Sequence, residues 1–165
     1  MTRHIGLRLL LVVAVTFPML AFPASVFAAQ TCRYVNYTVS YKIASNANLY
    51  STTGWVKLKK YFCVENGEFT HYTQSQPAAS WSSNSQVTES VASKGNWDVW
   101  FSQYDKGSWI DFRLQYKTCT HDLELRVEVD NDLPLNARGY WSQGGICFQD
   151  TMTITGTSGH TFTTS

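Results

Sequence analysis

Within NWDVWFSQYDKGSWIDFRLQYK, residues 96–117, four side chains have the chemistry of a recognition surface: Trp100, Tyr104, Trp109 and Arg113. Indole and phenol rings present flat faces on which the C–H side of a sugar can stack, and a guanidinium donates to hydroxyls. The same three residue types also dominate protein–protein contact energies. The chain's one carboxylate cluster lies close by, with Asp111 followed by Asp130 and Asp132 of DNDLPLN. Carboxylates that repel one another across a ladder call for an offsetting charge, and a calcium ion held by side-chain and loop carbonyl oxygens would supply it. Two carboxylates can also divide the acid and base roles of glycoside hydrolysis.

Each of these features has a plainer explanation. Aromatic residues make up 15% of the chain, so some rings must fall on outer faces, half covered by loops or by Arg113 as a cation–π partner. DND before a proline is ordinary turn chemistry.

Other chemistries are poorly represented. His71, His121 and His160 are the histidines beyond the N-terminal leader, and no G-x-S-x-G or H-E-x-x-H occurs. His121 reads as an exposed turn residue and His71 as a half-buried edge residue. No glycine loop suited to phosphate is present. Asn36-Tyr37-Thr38 matches a glycosylation acceptor, which matters only in a eukaryotic secretory pathway.

The chain opens with a leader. Arg3, His4 and Arg8 precede the apolar run Leu9 to Val15, and Val26-Phe27-Ala28 supplies a cleavage site, so residues 1–28 read as a secretory signal peptide. No later segment reaches the roughly 20 apolar residues of a membrane span. Of 165 residues, 137 then remain, residues 29–165, expected to form one secreted extracellular domain. Of 13 basic residues, Arg3 and Arg8 leave with the leader, so 11 face 12 acidic ones and the net charge is −1. That balance excludes a nucleic-acid partner, which needs concentrated positive charge. The one basic run, Lys57, Lys59 and Lys60, reads as a solvated edge strand.

Cys32, Cys63, Cys119 and Cys147 all lie in the exported part, and an even number there predicts two disulfides with three possible connectivities. The shorter-range choice is Cys32–Cys63 with Cys119–Cys147. Zinc ligation by such widely spaced cysteines is the alternative, and no pair has C-x-x-C spacing.

The elements that must position these residues are strands. Val35, Tyr37, Val39, Tyr41 and Ile43 alternate with polar residues. Trp55 to Val64 leads into Glu65-Asn66-Gly67-Glu68, a type I′ hairpin signal that places Val64 opposite Phe69 and Phe62 opposite His71. Residues 75–85 read as a long loop, Gln86 to Ala92 as a weaker strand, and Lys94-Gly95-Asn96 as a turn. A turn centred on Lys106-Gly107 sets Trp97 opposite Tyr116, Val99 opposite Leu114 and Phe101 opposite Phe112. A turn at Thr120-His121 sets Tyr116 opposite Leu125 and Asp111 opposite Asp130. Trp97 is then a core residue. Trp100, Tyr104 and Trp109 share the other face, with Tyr104 across from Trp109 and Trp100 across from Arg113. Gly144-Gly145 turns into a last strand, Cys147 to Thr155.

The expected architecture is all-β, an antiparallel two-layer β-sandwich or barrel-like variant of seven to nine strands braced by two disulfides. The expected function is a secreted non-catalytic binding domain presenting Trp100, Tyr104, Trp109 and Arg113 to an extracellular glycan or a protein surface. The rivals are a small hydrolase using Asp111, Asp130 or Asp132, and a secreted inhibitor or bacteriocin-like antagonist.

Overall fold

The structure, a computed structural model, describes residues 30–66, 68–70, 75–98, 106–130, 136–145 and 147–159. The leader assignment, and the expectations resting on His71, Val99, Trp100, Phe101, Tyr104, Asp132 and His160, lie outside the described residues. Those residues form nine strands: β1 (Thr31–Ser45), β2 (Ser51–Glu65), β3 (Glu68–Phe69), β4 (Ala78–Trp81), β5 (Val87–Asp98), β6 (Lys106–Tyr116), β7 (Cys119–Val129), β8 (Ala137–Gly144) and β9 (Asp150–Ser158). No helix occurs among them. All pairing is antiparallel. One sheet runs β3-β2-β1-β9 with β4 also on β2, and the other runs β5-β6-β7-β8.

Period-2 patterning sends one set of side chains inward. Val35, Tyr37, Val39, Tyr41 and Ile43 of β1 and Val56, Leu58, Phe62 and Val64 of β2 join Ile110, Phe112, Leu114 and Tyr116 of β6. Leu123, Leu125, Val127 and Val129 of β7 complete a single buried cluster shared by both sheets. Each large side chain contributes roughly 1.5–3 kcal/mol by leaving water. Tyr41 reaches from one sheet to the other, where its hydroxyl donates to Glu89 of β5 at 3.0 Å. Burial, with the Glu89 carboxylate beside it, raises that hydroxyl's pKa well above the ordinary tyrosine value.

Both disulfides are those expected. Cys32 and Cys63 face each other directly across β1 and β2, 31 residues apart. Cys119 and Cys147 tie the start of β7 to the approach to β9, 28 residues apart. Loops of this length lose enough unfolded-state entropy for about 3–4 kcal/mol per bridge.

Several connections differ from the sequence reading. The stretch 75–85 contains β4, whose backbone pairs with β2 from Ala78 opposite Lys59 to Trp81 opposite Val56. Pro77 stands just before it, where its missing N–H does no harm. The lysine run is therefore on an inner strand. Lys57 and Lys59 point outward, but Lys60 is buried among the apolar side chains.

β5 runs straight through Lys94-Gly95-Asn96, and Lys106-Gly107 lies inside β6. Pairing slips between Val91 and Ser93, a bulge that swaps which residues face inward. Val87 and Val91 pair with Tyr116 and Phe112, whereas beyond the bulge Trp97 pairs with Gly107 and turns to the outer face. The β6–β7 turn is Lys117-Thr118, with Lys117 at φ 53° and Tyr116 opposite Cys119. This is six residues from the expected register. Six is even, so the inward set is unchanged while every cross-strand partner is different. One partner change buries His121. The last strand begins three residues later than expected, at Asp150.

Candidate functional site

The outer face of the four-stranded sheet is ruled into rows by the three registers. One row reads Ser93, Asp111, Glu124, Ser142; the next Gly95, Trp109, Arg126, Tyr140; the third Trp97, Gly107, Glu128, Arg138. Each tryptophan faces a glycine across the β5–β6 ladder. A Cβ built on Gly107 would lie 2.4 Å from Cε2 and Cζ2 of Trp97, and one built on Gly95 would lie 3.0 Å from Nε1 of Trp109. Both rings therefore lie down over bare backbone instead of standing off the sheet. A ring lying flat keeps its other face outward. Diagonal neighbours of this kind sit roughly 7–8 Å apart, which makes the two indoles one platform.

Arg126 is the polar centre of that platform. Its guanidinium carbon is 5.9 Å from the Trp97 ring centroid, and its Nε donates to Glu124. That hydrogen bond raises the arginine's pKa against partial burial, with Asp111 and Glu128 adding to the effect. Asp111 accepts from the Ser93 hydroxyl. Trp97, Trp109, Asp111, Glu124 and Arg126 line a groove of about 380 Å³. A second hollow of about 330 Å³ continues past Glu128 to Tyr140 and Trp141, which are 40% and 43% exposed. The face thus combines open ring surface with donors and acceptors already held in place by one another.

Of the expected recognition residues, Trp109 lies on this face between Gly95 and Arg126. Arg113 also points outward, one row beyond Asp111, and its Nε donates to Asp122 at 3.3 Å. Its cross-strand neighbours are Ser90 and Asp122. Trp100 and Tyr104 are outside the described residues. Trp97, expected in the core, is a member of the platform, and Arg126, Glu124 and Tyr140 join it although the sequence reading did not select them. Gly95 and Gly107, each two residues from a tryptophan, were the available signal.

The carboxylate cluster does not assemble as expected. Asp111 stands opposite Glu124, six residues from Asp130 along the β6–β7 ribbon, which is about 20 Å. Asp130 is buried at the end of β7 and accepts from the backbone and side-chain nitrogens of Asn136, at 3.3 and 3.5 Å. These two cannot share one calcium ion, and Asp132 is not among the described residues. Metal-ligating types do come together at Cys119, Cys147 and Asp150, within 4.8 Å. There the two sulfurs are joined in a disulfide. Beside them, buried His121 meets Asp150 at 2.7 Å, a pair the sequence reading missed because it placed His121 in a turn.

A scan against protein-family models, a search of curated proteins and a search of solved structures each find no match to the chain. The described residues contain no helix long and apolar enough to cross a membrane.

Proposed function

We propose that the two sheets pack as a two-layer sandwich and that the protein is a secreted, non-catalytic binding domain whose platform of Trp97, Trp109 and Arg126 takes an extracellular glycan. The observation that carries this reading is the pair of indoles lying flat over Gly107 and Gly95. A ring held flat against backbone suits the C–H face of a pyranose, and Arg126, which lies over the edge of that platform beside Trp97, with Glu124 and Asp111 suits its hydroxyls. A protein hot spot would more often sit in a desolvated pocket than on a groove framed by paired charges. In polysaccharide pull-down with tryptophan fluorescence as a second readout, Trp97→Ala and Trp109→Ala each weaken binding at least tenfold while the fold is retained. Binding that survives both substitutions contradicts the reading.

One observation supports a hydrolase as the second reading. Asp111 and Glu124 are directly opposed across β6 and β7 in the same groove, and a pair of carboxylates beside one bound sugar is what glycoside hydrolysis requires. Turnover of a bound oligosaccharide that disappears in Glu124→Gln, with binding unchanged, would establish it.

A further inference from the structure

The outer face of the other sheet is built on a contrasting charge plan. Lys42 of β1 and Lys57 and Lys59 of β2 point outward, and their cross-strand neighbours carry no charge. Lys42 stands opposite Thr53 and Thr153, Lys57 opposite Thr38 and Ser80, and Lys59 opposite Asn36 and Ala78. Among the described residues no carboxylate occupies this face between the levels of Tyr34 and Lys42. The tryptophan platform, by contrast, sets guanidinium groups against carboxylates, Arg126 with Glu124 and Arg113 beside it with Asp122. On the lysine face, aromatic rings take the place of those anions. Lys59 Nζ lies 4.0 Å from the Tyr34 ring centroid and Lys57 Nζ lies 5.3 Å from that of Trp55. The Tyr34 and Tyr61 rings meet at a 40° tilt with centroids 4.6 Å apart. A ring quadrupole steadies an ammonium without neutralising it, so three positive charges remain available to a partner.

We infer that this face binds an anionic polysaccharide, a chain of sugars bearing carboxylate or sulfate groups. Lys57 and Lys59 are about 7 Å apart along β2, and the level of Lys42 is about 13 Å beyond Lys57. The ammonium groups are strung out and do not converge, which fits a polymer with recurring acid groups better than a single small anion. Tyr34, Tyr61 and Trp55 lie along the same track and offer ring faces to the sugars between those groups. Among the described residues the face carries no aliphatic wedge of the kind a lipid surface would need. It is separate from the tryptophan platform, and the inference does not depend on that platform's ligand.

The test uses purified protein with heparin and polygalacturonate as probes, dextran as the neutral polymer, and phosphatidylglycerol vesicles as the alternative anionic surface. Both polyanions are expected to bind and dextran to bypass the lysine face, and raising salt from 50 to 200 mM should weaken polyanion binding roughly 20- to 40-fold, because three neutralised charges release their counterions. Lys42→Ser, Lys57→Ser and Lys59→Ser combined should reduce retention at least tenfold. The corresponding triple arginine variant keeps retention, and the serine variant keeps any neutral-glycan binding of the tryptophan platform. Circular dichroism of both variants controls for folding. The inference is overturned if the serine variant binds polyanions as the parent does, if neither polyanion binds at 50 mM salt, or if the vesicles bind and the soluble polymers do not.

Discussion

Lys60 is the residue whose surroundings differ most from its type. It is 1% exposed, its ammonium donates to the Ser75 carbonyl, and it lies 5.5 Å from the Phe62 ring centroid. Burial lowers its pKa from 10.5 to about 8. The unfolded chain keeps this proton to higher pH than the folded chain does, so folding is penalised in full below pH 8. The penalty is relieved as pH rises from about 8 towards 10.5, and its size is on the order of 3 kcal/mol at roughly 1.4 kcal/mol per pH unit. Lys60→Met should therefore stabilise the protein by about 1–2 kcal/mol at pH 7, since the lost contact with Ser75 offsets part of the gain. Urea melts at pH 7, 8, 9 and 10 should find that advantage shrinking step by step. An advantage independent of pH would mean that burial does not lower the Lys60 pKa below its unfolded value. From sequence, Lys60 was indistinguishable from Lys57 and Lys59 in composition, and only its even position in β2, in phase with Val56, Leu58 and Phe62, marked it as inward.

At the scale of elements, the glycines of β5 and β6 set the geometry of the platform. Gly107→Ala places a methyl where the Trp97 ring lies, 2.4 Å from its nearest atoms. The ring must lift, which should cost about 1–3 kcal/mol and weaken glycan binding together with stability. Gly156→Ala, with nothing within 4 Å of its added Cβ, is the neutral comparison in the same thermal melts. Equal effects at the two positions would place the Trp97 ring elsewhere. These elements also mark the limit of what was legible in the sequence. Alternation identified β1, β2, β6 and β7 as strands with the right inward residues, and Asn66 brought Val64 opposite Phe69. Parity survives any even slip, which is why the core was readable although β6 and β7 pair six residues away from the expected register. The bulge after Val91 was not readable, since one extra residue leaves no compositional trace and yet moves Trp97 from the inner to the outer face. β4 escaped notice because Ala and Ser have little strand preference of their own and are held extended by the open edge of β2.

For the whole molecule, two outer faces flank one apolar interior, and they differ in charge plan. Around Trp97, Trp109 and Arg126 cations and carboxylates are matched. Around Lys42, Lys57 and Lys59 the positive charge is left over. On the proposed reading, a domain braced by two disulfides would meet a neutral sugar chain on one side and an acidic one on the other without any moving part. The most direct measurement is a titration of isotope-labelled protein with a neutral oligosaccharide, followed by two-dimensional nitrogen–proton spectra. The indole N–H signals of Trp97 and Trp109 and the backbone amides of residues 93–97, 107–111 and 124–126 should shift together and saturably, while those of β1 and β2 stay fixed. Shifts confined to the β1–β2 face, or none at the two indoles, would contradict the proposed platform.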